Sequence, residues 1–303
     1  MPDGAVDAAV GMTPGARGEP RLARAFPSLF VVLWSTGFIA AKYGMPYAPP
    51  LTFLLWRFAL VAALMTAVAL LTRARWPHRR EVAHLAIAAS MVHGAYLGGV
   101  WIAIKHGMAA GTSAMIVGLQ PLLTVLIARL WLRERVLARQ WLGLALGLIG
   151  VFLVVRHKVA FTGDASGLLP VAVALLGISV GTLYQKRHCA HVDLRSGAVV
   201  QFAACTLLFI PLALLEHEPI QWTMPFVFAL GWSVIVLSVG AISLLYWLLR
   251  QGASVHVARL FYLVPPVTAL LAYAFFGEAL DAVAIAGMLL IASGVAMARP
   301  STR

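Results

Sequence analysis

Ionisable side chains inside long apolar segments are costly to bury, so they are the first candidates for chemistry. Three arginines, Arg57, Arg129 and Arg259, fall in such segments, together with His93 and His256. Arg259 lies between His256 and Tyr262, and at about 100° per residue these three occupy a sector of roughly 120° on a helix. A planar guanidinium there suits a bidentate grip on a carboxylate. Arg57 and Arg129 can instead run their charged heads to an interface. His93 and Tyr96 share one helical face at i, i+3. His93 is either satisfied by a neighbouring hydroxyl or carbonyl or lines a cavity, and a pKa of about 6.5 would also suit proton coupling. The acids are informative by position. Glu81, Glu134, Asp164, Asp193, Glu216, Glu218, Glu278 and Asp281 all stand at or beyond segment ends. A proton relay through a central carboxylate is therefore disfavoured, and facilitated movement or coupling through another group gains.

Aromatic and hydroxyl residues form a second layer. Trp34 and Phe38 stack at i, i+4, while Ser35, Phe38 and Lys42 follow at i, i+3, i+7. Gly240, Ser243 and Trp247 share a face with Tyr246 beside it, and Gln120 precedes Pro121. Such a mixture suits a small amphipathic solute, with apolar contact and a few fixed polar groups. The competing reading is that serines and glycines simply permit close helix packing. Pro121, Pro265 and Pro266 remove backbone donors within segments, which makes either a hinge or a static kink.

Membrane-spanning helices must position these groups. Apolar residues make up 61% of the 303-residue chain and charged residues 11%, against about 25% charged in soluble domains. Hydropathy predicts ten spans, at 26–44, 51–71, 82–104, 112–132, 138–156, 167–187, 194–215, 224–249, 253–276 and 282–298, close to the roughly 17–25 residues a crossing helix needs. Residues 1–25 are neither a signal peptide nor a span and read as a mobile cytoplasmic tail. The net charge of +12 does not require nucleic acid. With the N-terminus in the cytoplasm, sixteen Lys and Arg fall on the inner side and four, Lys42, Lys105, Arg156 and Lys158, on the outer side. That asymmetry predicts a bacterial inner-membrane protein with both termini cytoplasmic. Trp76, Trp131 and Trp222 belong to the interfacial belt. Cys189 and Cys205 make neither a disulfide framework nor a metal site. Without a nucleotide-binding loop, HExxH, paired acids or a Gly-x-Ser-x-Gly turn, no enzyme and no cofactor is expected. The expected partners are a small-molecule solute and membrane lipid, and the oligomeric state stays open.

The chain is also duplicated, the second copy shifted by 144 residues. Ser35, Gly37 and Lys42 meet Ser179, Gly181 and Lys186; Pro121, Glu134, Gly143 and Gly150 meet Pro265, Glu278, Gly287 and Gly294. Five predicted spans per copy would set the copies upside down relative to one another, a common way to build two alternating gates. The copies diverge where Arg57 is matched by Gln201 and Trp34 by Ile178, so a cavity between them should be asymmetric. Glu134 can pair with Arg133, Arg135 or Arg139, whereas Glu278 has no equally obvious partner.

The WSTGF run at Trp34–Phe38 followed by Lys42, the Arg57-Phe58 pair and the twice-repeated Pro…Glu…Gly…Gly block carry a family likeness. Over about residues 26–298 the chain resembles the EamA-like branch of the drug/metabolite transporter superfamily. The resemblance implies an all-α integral membrane fold of ten transmembrane helices, built as two inverted five-helix repeats at 26–158 and 159–299. It further implies a secondary transporter that exports amino acids or similar small metabolites by alternating access. An exporter of drugs or toxic compounds is the alternative, though no embedded acid is there to hold a cationic drug. The central cavity is expected between the first, third, fourth, sixth, eighth and ninth spans, hinged at Pro121, Pro265 and Pro266.

Overall fold

The structure, a computed structural model, describes residues 25–132, 137–162, 165–244, 248 and 260–297. Among these residues every regular element is helical. In chain order they are α1 (Phe26–Gly44), α2 (Pro50–Leu71), α3 (Arg79–Lys105), α4 (Ala110–Val117), α5 (Gln120–Leu132), α6 (Ala138–Thr162), α7 (Leu168–His188), α8 (Leu194–Ala213), α9 (Met224–Leu244), a 3-10 turn (Phe261–Leu263), α10 (Val264–Phe276) and α11 (Ala282–Met297). Seven stretches are long and apolar enough to cross a membrane: α1, α2, α3, α4 with the start of α5, α7, α8 and α9. Three more, Ala138–Val154, Val264–Phe276 and Ala282–Met297, are apolar but shorter. Large apolar side chains stay outside the packed interior, with Leu71 85%, Phe275 67% and Phe228 61% exposed. A surface of that kind matches hydrocarbon rather than water.

Local sequence sets where these helices begin and end. Pro50 opens α2, where the missing N–H would have had no partner anyway. The next two N–H groups, of Leu51 and Thr52, donate to the distant Glu216 carboxylate at 3.0 and 2.7 Å. Asp193 caps α8 by accepting from the Arg195 N–H at 2.9 Å. Gly277 ends α10 in the left-handed region, φ +64°, with its N–H on the Tyr273 carbonyl. That conformation suits glycine, because a Cβ there crowds the following carbonyl.

Without a hydrophobic drive inside lipid, helices associate through close packing and small residues. α6 and α11 do so at glycine. A Cβ on Gly150 would stand 2.8 Å from the Gly287 carbonyl oxygen, and one on Gly143 would collide with that of Gly294. These glycines are packing elements, as their spacing suggests. The two cysteines also pack: both are buried, and the Cys205 thiol donates to the Ala89 carbonyl.

Three helices depart from the simple reading of their sequence. The span predicted over 112–132 is interrupted at Gly118–Leu119, between α4 and α5. Pro121 therefore lies in the first turn of α5, and Pro265 and Pro266 in the first turns of α10. Proline fits an opening turn because it removes no helical hydrogen bond there. α3 widens into a π stretch at Ser90–Ala95, and α9 does so at Trp232–Ala241. Such stretches insert a residue into the helical ladder and often mark functional positions.

Candidate functional site

The two π stretches converge on one buried cation. Arg57, in the upper half of α2, is only 7% exposed. Its Nε and Nη2 donate to the Ser238 hydroxyl oxygen at 3.3 and 3.1 Å. Ser238 lies in the π stretch of α9 and donates its own proton five residues back to the Ser233 carbonyl at 2.9 Å. With its proton committed there, the hydroxyl presents lone pairs to the guanidinium. His93, in the π stretch of α3, lies within electrostatic reach of Arg57, as does Tyr96 one turn on. His93 Nε2 pairs with Gln201 Oε1 of α8 at 3.1 Å, and its ring stacks on Phe202 at 4.7 Å. The cluster thus joins α2, α3, α8 and α9, and its cation meets no carboxylate among the described residues.

A second constellation closes one end of the bundle. Gly277 turns the chain so that Glu278 reaches back over α1 and α4. The Lys42 ammonium meets Glu278 Oε1 at 2.6 Å. The Ala110 N–H donates to the same oxygen at 2.9 Å, and the Gly111 N–H to Oε2 at 3.2 Å. A carboxylate on the first N–H groups of a helix gains from both unmet donors and the helix dipole. Lys42 also lies 4.8 Å over the Phe276 ring. The acid without an obvious sequence partner therefore ties α1, α4 and α10 together. Its signal was present in the repeat, where a Lys and a Glu recur in register in both copies.

The remaining predicted residues scatter. Ser35 is fully buried, and its hydroxyl lies on the Val31 and Val264 carbonyls at 2.8 and 3.3 Å, joining α1 to α10. Phe38 is buried in the main core. Trp34 packs against Phe30 and edge-on against Phe261, with ring centroids 5.3 and 5.2 Å away. Gln120 donates to Thr182 of α7 at 3.4 Å. Ser243 is exposed near the end of α9. Tyr262 falls in the 3-10 turn before α10, while Trp247, His256 and Arg259 lie outside the described residues. Of the predicted residues whose side chains are described, His93 and Tyr96 come together at the buried cation. Sequence reasoning gave Arg57 an interfacial role and had no sign of Ser238, since a π stretch leaves no periodicity that reads as one.

Residues 26–156 and 165–299 each match the EamA-like transporter family. The chain is 25% identical over 262 residues to an uncharacterized inner membrane transporter, YedA, of Escherichia coli, covering 84% of each chain. It is likewise 25% identical over 278 residues to a protein of Salmonella typhimurium named a probable amino-acid metabolite efflux pump, covering 88% of this chain and 91% of that one. A crystal structure of another protein superposes with a TM-score of 0.62 at 19% identity, over 91% of this chain and 97% of that chain, which shows a shared fold.

Proposed function

The chain belongs to the EamA-like transporter family and is a multi-pass membrane transporter; from that premise we propose that it exports amino acids or similar small metabolites across the inner membrane by alternating access. Its ten helices form two inverted five-helix repeats, with both termini in the cytoplasm. The solute binds in a central cavity lined by Trp34, Ser35, Phe38, His93, Tyr96, Gln120, Ser243, Trp247, His256, Arg259 and Tyr262, and the breaks at Pro121 and at Pro265-Pro266 exchange the open side.

The observation that carries this reading is a contact pattern that survives exchange of the halves. α1 packs on α10, and its counterpart α7 packs on α5; α3 packs on α7, and α9 on α1. α2 with α8, and α6 with α11, pair counterpart with counterpart. The glycine contacts follow the same rule, since Gly143 on Gly294 becomes Gly287 on Gly150 under the 144-residue shift. Equivalent, antiparallel contacts of this kind are what a two-fold axis in the membrane plane requires.

The same shift gives the mechanism. Lys42, Glu278 and the start of α4 close the outer side. The counterpart of Lys42 is Lys186, and the inner closure forms on that side when the outer one parts. The sequence relatedness to a named amino-acid metabolite efflux pump supports the solute class. The test is sidedness: Lys42→Cys should react with an impermeant thiol reagent from outside and Lys186→Cys from inside. Labelling of both from one side would end the inverted arrangement.

A further inference from the structure

Arg57 is a poor structural residue where it stands. A guanidinium carries five N–H donors and no acceptor. Ser238 takes two of them with a single neutral oxygen, along the edge formed by Nε and Nη2. The opposite fork, both N–H groups of Nη1 and the second of Nη2, is left without a partner on the described chain. No carboxylate among the described residues offsets the charge. A charge taken out of water is normally paired, because its desolvation otherwise goes uncompensated. A residue needed only for packing could be Leu or Met at no such cost. Nor does Arg57 reach an interface: it is 7% exposed, and Ser238 holds its guanidinium in place.

The surroundings also point to a ligand rather than a partner helix. Arg57 breaks the internal repeat, since its equivalent is Gln201, which holds His93. One π stretch bonds it through Ser238, and the other carries His93 within its electrostatic reach. Phe58 and Phe202, equivalent under the 144-residue shift, lie with ring centroids 6.1 Å apart beside His93 and offer an apolar wall. Gln201 and Tyr96 add acceptor oxygens that would serve an ammonium or hydroxyl.

We propose that Arg57 is the substrate anchor: its free fork takes the carboxylate of the transported solute, while Ser238 holds the guanidinium in position. This inference rests on the transporter reading above and names the group that the site selects. A planar fork matches a carboxylate with two parallel hydrogen bonds, so a solute whose acid is replaced by an amide is rejected, and one lacking the amino group is kept.

The experiment is counterflow into proteoliposomes of the full chain, with labelled amino acids and, as competitors, the matching amides and deaminated acids. Wild type is expected to prefer acid over amide by at least about tenfold, the discrimination of one good bidentate pair. Arg57→Gln should abolish that preference, raising the half-saturating acid concentration about tenfold or more. Arg57→Lys, a point charge without the fork, should weaken it several-fold. Ser238→Ala should weaken acid binding by a smaller factor. Equal transport of acid and amide by wild type overturns the inference and leaves the transporter reading standing. So does an unchanged preference in Arg57→Gln, or in Arg57→Lys if the glutamine variant does not fold. If wild type moves no member of the panel, the transporter reading fails for this solute class, and the assignment of Arg57 falls with it.

Discussion

Replacing Glu278 by Gln keeps the shape of the Lys42–Glu278 closure and removes its charge. In the structure one carboxylate makes three contacts: Lys42 at 2.6 Å and the Ala110 and Gly111 N–H groups at 2.9 and 3.2 Å. Its side chain is 12% exposed and that of Lys42 32%, so screening by water is partial. A hydrogen bond to a charged group contributes about 1.5–3 kcal/mol, and the interaction with the helix start adds about 0.3–1 kcal/mol. The amide retains one acceptor oxygen, so the loss is roughly 3 kcal/mol rather than the full sum. That corresponds to about a hundredfold in the opening equilibrium, at 1.4 kcal/mol per factor of ten. The direct readout is amide exchange at Ala110 and Gly111, whose N–H groups are shielded by this carboxylate. Hydrogen–deuterium exchange over a peptide spanning 108–117 should accelerate about a hundredfold at those amides in Glu278→Gln. Exchange over 85–100 of α3, which does not touch the closure, should be unchanged. Acceleration of less than about threefold at 110 and 111 would refute the reasoning, since the carboxylate would then not hold α4.

Three further expectations follow from other contacts. Gly150→Val places a side chain against the Gly287 backbone, which cannot rotate away, so it should destabilise the folded protein by about 1–3 kcal/mol as overpacking does; Gly231→Ala, with nothing within 4 Å of its Cβ, should be neutral or stabilise by about 0.5–1 kcal/mol. Both are read as shifts of thermal midpoint in detergent. Gly277→Ala forces a Cβ into the left-handed turn that aims Glu278, costing about 1 kcal/mol, and exchange at Ala110 should quicken with it. Asp193→Ala removes the cap of α8, at a cost of about 1 kcal/mol near neutral pH. The Arg195 side chain, through its hydrogen bond, holds the Asp193 carboxyl down to about 2, below the unfolded value of about 3.9. The cap is therefore fully present above about pH 4, and the difference between wild type and variant should vanish as pH falls through about 2.

The helical, membrane-embedded character was legible because hydropathy acts over twenty residues at a time, and among the described residues seven helices are long and apolar enough to cross a membrane. The tight glycine seam of α6 and α11 was legible for the same reason: spacing at 143, 150, 287 and 294 survives in both copies. What the sequence concealed depends on contacts between distant segments. The pairing of Lys42 with Glu278 spans 236 residues, and neither residue is unusual in its own neighbourhood. Ser238 became visible only through the π stretch that turns it toward Arg57, a local rewinding with no fixed residue pattern. Pro121 and Pro265 were read as interruptions within helices; they are instead the opening residues of new ones, because Gly118 and the turn at Phe261–Leu263 have already ended the helical ladder. Ser35 likewise makes a contact its sequence neighbourhood does not show: its hydroxyl lies against a carbonyl of α10.

The central claim is that this chain moves small carboxylate-bearing metabolites by exchanging two closures. Counterflow tests it most directly: proteoliposomes loaded with a mixture of unlabelled amino acids are diluted into trace labelled ones, with and without a pH gradient. The account predicts transient accumulation of label that depends on internal substrate and is insensitive to the gradient, since no carboxylate lies mid-span among the described residues. Absence of accumulation from protein shown to be folded would contradict it.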